Sequence, residues 1–305
     1  MRATVNGFNR TGIVAVLVAV ELLIVIIGVN ALRGRGMGMS YSFPTGGRAI
    51  SFTAKSIQPI AAGTAPRVTI DDPNSGIDVR VSYDGLVHVV DNTTFNGSAF
   101  GANGAGYPQL EVTHDGNDVS VSRRNVDIDW FSNATSRQRI TVEVPAAARI
   151  EITNAGAVDM RGLNGGTIAA HCDDGDIEVS GITTPSLTLT SNDGHIEAMR
   201  LAMTGASPQL KLASDDGHVN FSGLFPAGGN YDISTNDGDI EARVAQGSDV
   251  TVNASTSDGD IRVDDSGRDS GDDGSSQTIR IGSGAAAMRV HSDDGSVAIT
   301  TNGAD

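Results

Sequence analysis

With 305 residues, 39% of them apolar, the chain can close the core of one large or two medium domains, which excludes disorder by composition. The net charge of −16 is unevenly placed: Arg2, Arg10, Arg33 and Arg35 against Glu21 make the first 35 residues +3, leaving −19 (−16 − 3) on a body that repels phosphate backbones and excludes nucleic acid as a partner. The single Cys172 excludes an internal disulfide framework and a cysteine-rich metal site, while 38 glycines, 4% aromatics and short Val, Ile and Thr runs broken by Asn, Asp and Gly predict an all-β fold.

Residues 1–11 precede an apolar stretch, 12–32, reading GIVAVLVAVELLIVIIGVNAL. As a helix its 21 residues span about 31 Å, one hydrocarbon core. A retained single-pass anchor and a signal peptide cleaved near Val29-Asn30-Ala31 both fit, and the length favours the anchor. Flanking arginines nearly balance, so the acidic β body decides the orientation: N-terminus cytoplasmic, body extracytoplasmic, in the periplasm or at the cell surface. Glu21 reads as a carboxylate tolerated within the span. Residues 33–50, rich in Gly and Arg and without a period, predict a linker.

Strand-like runs fill residues 51–145, among them RVTID, IDVRVS, DVSVS and ITVEVP, predicting an irregular β region of a solenoid. From 146 to 305 the chain repeats: HCDDGDIEV at 171, TSNDGHIEA at 190, ASDDGHVNF at 213, STNDGDIEA at 234, STSDGDIRV at 255 and HSDDGSVAI at 291. With a weaker copy around Gly156, the glycines Gly156, Gly175, Gly194, Gly217, Gly238, Gly259 and Gly295 are separated by 19, 19, 23, 21, 21 and 36 residues. Repeats of about twenty residues predict a single-stranded β-helix or solenoid. Leu187 and Leu189 before SNDG, and Ile196 and Ala198 after it, predict two strands per coil around a tight turn, with the six glycines from Gly175 onward as structural turn residues supplying positive φ. The inward column should include Ile177, Ile196, Val219, Ile240, Ile261 and Val297. Cys172, Ser191, Ser214, Thr235, Thr256 and Ser292 should stack as a ladder, making Cys172 a serine stand-in and not a reactive thiol.

Acids stand just before those glycines: Asp174, Asp193, Asp216, Asp237, Asp258 and Asp294, beside Asp173, Asp215 and Asp293. They are the weak candidates for divalent cations, with Asp-Gly turn chemistry the preferred reading and only slight, non-selective calcium stabilisation expected. The interval of 36 holds an acidic loop, 264–276, which departs from an EF-hand because Arg280 stands where the twelfth-position Glu belongs. His195 and His218 should lie side by side as turn residues without a third metal ligand. The final coil near Val297 is expected to expose a strand edge open to self-association. Trp130 is the one tryptophan, and of the tyrosines only Tyr231 lies in the repeats, so any polymer contact should be polar. Arg200, Lys211, Arg243 and Arg262 are scattered, no catalytic motif appears, and no cofactor is expected.

The run ITVEVPAAARIEITNAGAVDM, residues 140–160, followed by repeated S-x-D-G-x-I-x-A/V, resembles the bacterial putative-adhesin family, a domain of unknown function related to head-GIN-type envelope proteins. The resemblance covers about residues 50–300 and implies a β-solenoid, an envelope location, an N-terminal membrane segment and no catalytic residues. The expected function is a non-catalytic binding or adhesion module of the bacterial envelope, contacting an envelope polymer or a membrane protein. The alternative is a structural or signalling accessory to an envelope-stress sensor, and a polysaccharide-lyase-like enzyme comes third.

Overall fold

Alternating apolar residues with β-branched neighbours favour extended backbone that buries one face. The structure is a computed structural model that describes residues 49–51, 55–98, 110–123, 135–265, 268–271 and 275–301. These residues form an all-β solenoid. The apolar stretch 12–32 and the segment through residue 48 lie outside them, and among the described residues no helix is long and apolar enough to cross a membrane.

One coil shows the construction. Leu187, Leu189 and Ser191 of the strand Ser186–Ser191 are buried, the polar turn follows, and the strand Ile196–Met203 resumes with Ile196 and Ala198 buried. Coils stack in parallel and in register, Leu187 pairing with Ile168 and Leu210, and Ile196 with Ile177 and Val219. The inward column is continuous: Ile177, Ile196, Val219, Ile240, Ile261 and Val297 are each at most 1% exposed. Each such side chain contributes about 1.5–3 kcal/mol, so stability is spread along the stack. Phe221, Phe225 and Tyr231 thicken the core, with ring centroids 5.9 and 5.1 Å apart, and the Tyr231 hydroxyl donates to the Pro226 carbonyl at 2.9 Å. Some coils have a third short side beyond the two strands expected: Thr183–Thr184 pairs with Ala202 and Met203, and Leu201 with Gly223.

Coil order in space departs from sequence order at both ends. The strands Asp118–Arg123 and Arg139–Val144 pair with Arg67–Val81, which pairs in turn with Arg149–Arg161. Coil 67–81 therefore lies between two coils that follow it in sequence. At the other end Ala286–Ser292 pairs with both Asn230–Thr235 and Val250–Thr256, and Val297–Thr301 with both Ile240–Val244 and Ile261–Asp265. The last described coil in sequence is thus held between two others, and the open edge expected there is not found. The interval of 36 is also more than a loop on a coil corner. After Asp265 the chain reverses, lays Arg268–Gly271 and Ser276–Ile281 antiparallel along the outermost coil, and returns beneath that coil. At the opposite end Leu110–Asp115 and His88–Asp91 likewise run antiparallel beside Asp118–Arg123 and Arg139–Val144. Each outermost parallel strand is covered by a reversed one, which occupies the hydrogen-bonding groups that would otherwise template another chain.

Candidate functional site

Three kinds of ladder run up the turn corner. The predicted hydroxyl ladder is in register, Cys172 against Ser191 and Ser214 against Thr235. Its oxygens bond the turn glycine of the coil beneath: Ser191 Oγ donates to Gly175 O at 3.0 Å, Ser214 Oγ to Gly194 O at 2.8 Å and Ser292 Oγ to Gly238 O at 2.7 Å. Cys172 occupies the same buried place, and burial, joined by the charges of Asp173 and Asp176, pushes its thiol up to about 12. The glycines serve differently from the sequence reading. None of the six has positive φ; a Cβ on Gly194 or Gly217 would lie 2.1 Å from the carbonyl oxygen of the turn glycine below, so close stacking excludes a side chain.

Two residues before each glycine, acids and neutral groups alternate in spatial order: Asp173, Asn192, Asp215, Asn236, Asp293, Ser257. Asn192 Nδ2 donates to Asp173 Oδ1 at 3.3 Å, Asn236 Nδ2 to Asp215 Oδ1 at 3.4 Å and Ser257 Oγ to Asp293 Oδ1 at 3.4 Å. Just after the glycine, side chains accept backbone N–H groups from the coil above. Asp176 Oδ1 accepts from His195 at 2.9 Å, His195 Nδ1 from His218 at 3.0 Å, His218 Nδ1 from Asp239 at 2.9 Å and Asp239 Oδ1 from Ser296 at 2.8 Å. The histidines stack as expected, with centroids 5.0 Å apart. Each Nδ1 lone pair is engaged, so the neutral ring carries its hydrogen on Nε2, which then faces outward as a donor and not as a metal ligand.

Asp174, Asp193, Asp216, Asp237, Asp258 and Asp294 are all exposed. Among the described residues no three His, Cys, Asp or Glu side chains converge to hold a metal ion. In water-like surroundings, neighbouring carboxylates about 4.8 Å apart repel by roughly 1 kcal/mol, a cost that needs no cation.

A hydroxyl–imidazole–carboxylate row occurs twice. Ser255 Oγ is 2.9 Å from His291 Nδ1, and His291 Nε2 is 3.0 Å from Asp293 Oδ1; Thr190, His171 and Asp173 repeat this at 2.9 and 3.2 Å. Acyl transfer also needs free N–H donors for an oxyanion. The strands carrying Ser255 and Thr190 are paired on both sides, so among the described residues the backbone N–H groups beside either hydroxyl are engaged in the sheet.

Sequence reasoning missed one buried cluster. Arg123 Nε donates to Asp72 Oδ2 at 2.7 Å and its Nη2 to Asp91 Oδ1 at 2.9 Å, while Ser75 Oγ donates to Asp72 at 2.7 Å. Burial works against the Asp91 carboxylate, but hydrogen bonds from Arg123 and Thr93 outweigh it and hold that group below its usual range. The cluster ties coil 67–81 to its neighbouring strands inside the fold, away from solvent.

An accessible groove crosses the face formed by the strands preceding the turn. Arg149 stands in register with Arg67, and Glu151 with Thr69 and Ala169. Arg67 bonds Glu151 at 2.5 Å. On one side of Arg67 a trough of about 310 Å³ is lined by Arg149, Glu151, Thr167, Ala169, Ser186 and Thr188. On its other side a second, of about 420 Å³, is lined by Thr69, Thr113, His114, Asp118 and Ser120. Small residues form the floor because Ala169 and Thr188 fall beside longer side chains in the stacked register. On the face after the turn, by contrast, Arg80, Arg161 and Arg243 are each paired with an acid two residues earlier, Asp78, Asp159 and Glu241. Arg149 has no ion-pair partner among the described residues.

Among known proteins, the Toastrack DUF4097 family model matches residues 91–300. Two solved structures are similar. One, described as a putative cell adhesion protein from Clostridium sporogenes, is 10% identical with a TM-score of 0.34, the match covering 83% of this chain and 100% of that one. The other, a putative adhesin from Bacteroides fragilis, is 12% identical with a TM-score of 0.35, covering 81% and 95%. No curated protein matches the sequence.

Proposed function

The chain belongs to the Toastrack DUF4097 family, and we propose that it is a non-catalytic binding or adhesion module of the bacterial envelope, anchored in the membrane through residues 12–32 with its body extracytoplasmic. The observation that carries this reading is the groove: exposed, shallow and lined by hydroxyls, guanidinium groups and the carboxylates Glu151, Asp115 and Asp118. Such a surface offers contacts to a partner without enclosing a reaction. The two hydroxyl–imidazole–carboxylate rows support it from the other side, since paired strands deny them oxyanion donors. The 21-residue apolar stretch supplies the anchor, and the −19 charge of the rest favours a body outside the cytosol, where nucleic acid is not the partner.

Two experiments test this reading. Protease added to spheroplasts should digest the body, and its protection would overturn the orientation. Full-length chain with its anchor, pulled down from a detergent extract, should retain envelope polymer or bind whole cells. Recovery of one stoichiometric membrane protein would instead support the accessory role beside an envelope-stress sensor, in which self-association or a membrane partner occupies the module.

A further inference from the structure

We propose that the groove beside Arg149 binds an extended acidic polysaccharide of sparse charge, one carboxylate for every two or more sugars, with Arg149 taking a carboxylate and Thr167, Ser186 and Thr188 the ring hydroxyls. This rests on the binding-module reading and names its ligand.

Shape comes first. The two troughs meet at Arg67 and cross the strands holding Thr113, Ser120, Thr69, Glu151, Ala169 and Thr188. Those six strands give five spacings of about 4.8 Å, so the groove runs about 24 Å along the stacking direction. A compact metabolite would leave most of that length empty, whereas an extended polymer fills it.

Chemistry selects the polymer. Among the described residues five of the six crossed strands are paired on both sides, so a peptide can add as a new strand only at the outer edge of Leu110–Asp115, and recognition along the rest of the groove must come from side chains. The lining offers hydroxyls, two guanidinium groups and three carboxylates, Glu151 in one trough and Asp115 and Asp118 in the other, so a ligand carboxylate is favoured at the Arg149 end and disfavoured at the far one. Hydroxyls and Glu151 suit a polyol. Of the two arginines in register, Arg67 is already bonded to Glu151, which leaves the Arg149 guanidinium for an incoming carboxylate. The ligand's charge must be sparse because the chain outside its first 35 residues carries −19 and repels a dense polyanion, while one well-placed carboxylate escapes most of that field through screening beyond about 8 Å at physiological salt.

The test uses full-length chain in detergent micelles. The probes are hyaluronan oligosaccharides, with one carboxylate per disaccharide, and dextran of matched length. Hyaluronan should bind and dextran bind at least tenfold more weakly. Arg149→Gln should weaken hyaluronan about tenfold or more, and Ala169→Phe, which fills the trough floor, should abolish binding. Arg262→Gln, on a distant exposed site, should leave it unchanged, and unchanged melting temperatures will show that the variants fold. Equal binding of dextran, indifference to both groove variants, or no hyaluronan binding would overturn the assignment. If the wild-type chain still captures envelope polymer or cells in the last case, the ligand class fails alone; if capture is lost as well, the binding-module reading fails with it.

Discussion

Replacing Gly217 by alanine separates two roles that a turn glycine can have. A Cβ built there lies 2.1 Å from the Gly194 carbonyl oxygen and 2.6 Å from Ser214 Oγ. Since real Cβ atoms essentially never approach closer than 3.0 Å, coils 186–203 and 209–224 must part locally by at least 0.9 Å (3.0 − 2.1). That movement stretches the buried Ser214 Oγ to Gly194 O bond, now 2.8 Å, and the Asp216 N–H to Asn192 O bond, now 2.8 Å. Two weakened hydrogen bonds at about 1 kcal/mol each, with packing strain of about 1–3 kcal/mol, predict destabilisation of roughly 3–5 kcal/mol. The comparison variant is Gly205→Ala. Gly205 has φ +95°, yet its added Cβ meets only Pro185 Cβ at 3.7 Å, so the penalty is conformational, about 1–2 kcal/mol. Urea denaturation followed by far-ultraviolet circular dichroism measures both. If Gly217→Ala costs no more than Gly205→Ala, the close-stacking account of the repeat glycines is wrong.

Five further outcomes are expected. Ile240→Asp, placing a charge at a site 1% exposed, should cost about 3 kcal/mol or more, whereas Glu241→Lys, at the exposed pair with Arg243, should change stability by under about 1 kcal/mol; equal effects in thermal melts would refute the register. The buried Cys172 thiol and Tyr231 phenol, both pushed up to about 12 from 9.0 and 10.0, keep more protons in the folded state, so stability should fall as pH rises from about 9 to about 12, and Cys172→Ser should flatten the lower part of that slope. Alkylation of native Cys172 at pH 8 should be negligible until the chain unfolds, and rapid labelling would contradict its burial. Millimolar calcium should raise the melting temperature only slightly over chelator, with magnesium nearly equal, and a large calcium-specific shift would reveal a site among the exposed aspartates. Deleting Arg268–Ile281 should uncover the strands Val250–Thr256 and Ile261–Asp265 and produce concentration-dependent oligomers in light scattering, where a strict monomer would show that this reversed segment is not needed to block association.

Much of the architecture was legible because it follows from local periodicity. Period-two alternation places Leu187, Leu189, Ile196 and Ala198 inward whatever the neighbouring coils do, and the hydroxyl ladder follows from the repeat. The stacking partners were less legible. Nothing within 286–301 says that this coil pairs with both 230–244 and 250–265. One signal does exist: two residues before the glycines, sequence order would set the neutral Asn236 beside the neutral Ser257, while the observed order places Asp293 between them and keeps acid and neutral residues alternating. The reason for the turn glycines was hidden for the same cause, since a tight turn and a close approach to another coil demand the same residue. The groove depends on Arg67, Arg149 and Ala169 meeting across coils, and the Arg123 cluster on pairs 51 and 32 residues apart, so neither leaves a local pattern.

The displaced coil 286–301 also fixes the order in which its end of the molecule can be assembled. Most rungs join residues 19–23 apart, whereas Ser296 reaches Asp239 across 57. Closing that longer loop instead of one of 21 residues adds only about 0.9 kcal/mol of chain entropy. The kinetic effect is larger than this sum suggests. Coil 250–265 emerges first during synthesis but has no final seat until 286–301 has been laid on 230–244, so N-to-C winding must pause or undo a provisional pairing there. In the finished molecule the same arrangement acts as a clasp: strand 286–292 cannot peel away as a free end, because it is released only after one of the coils on either side has let go.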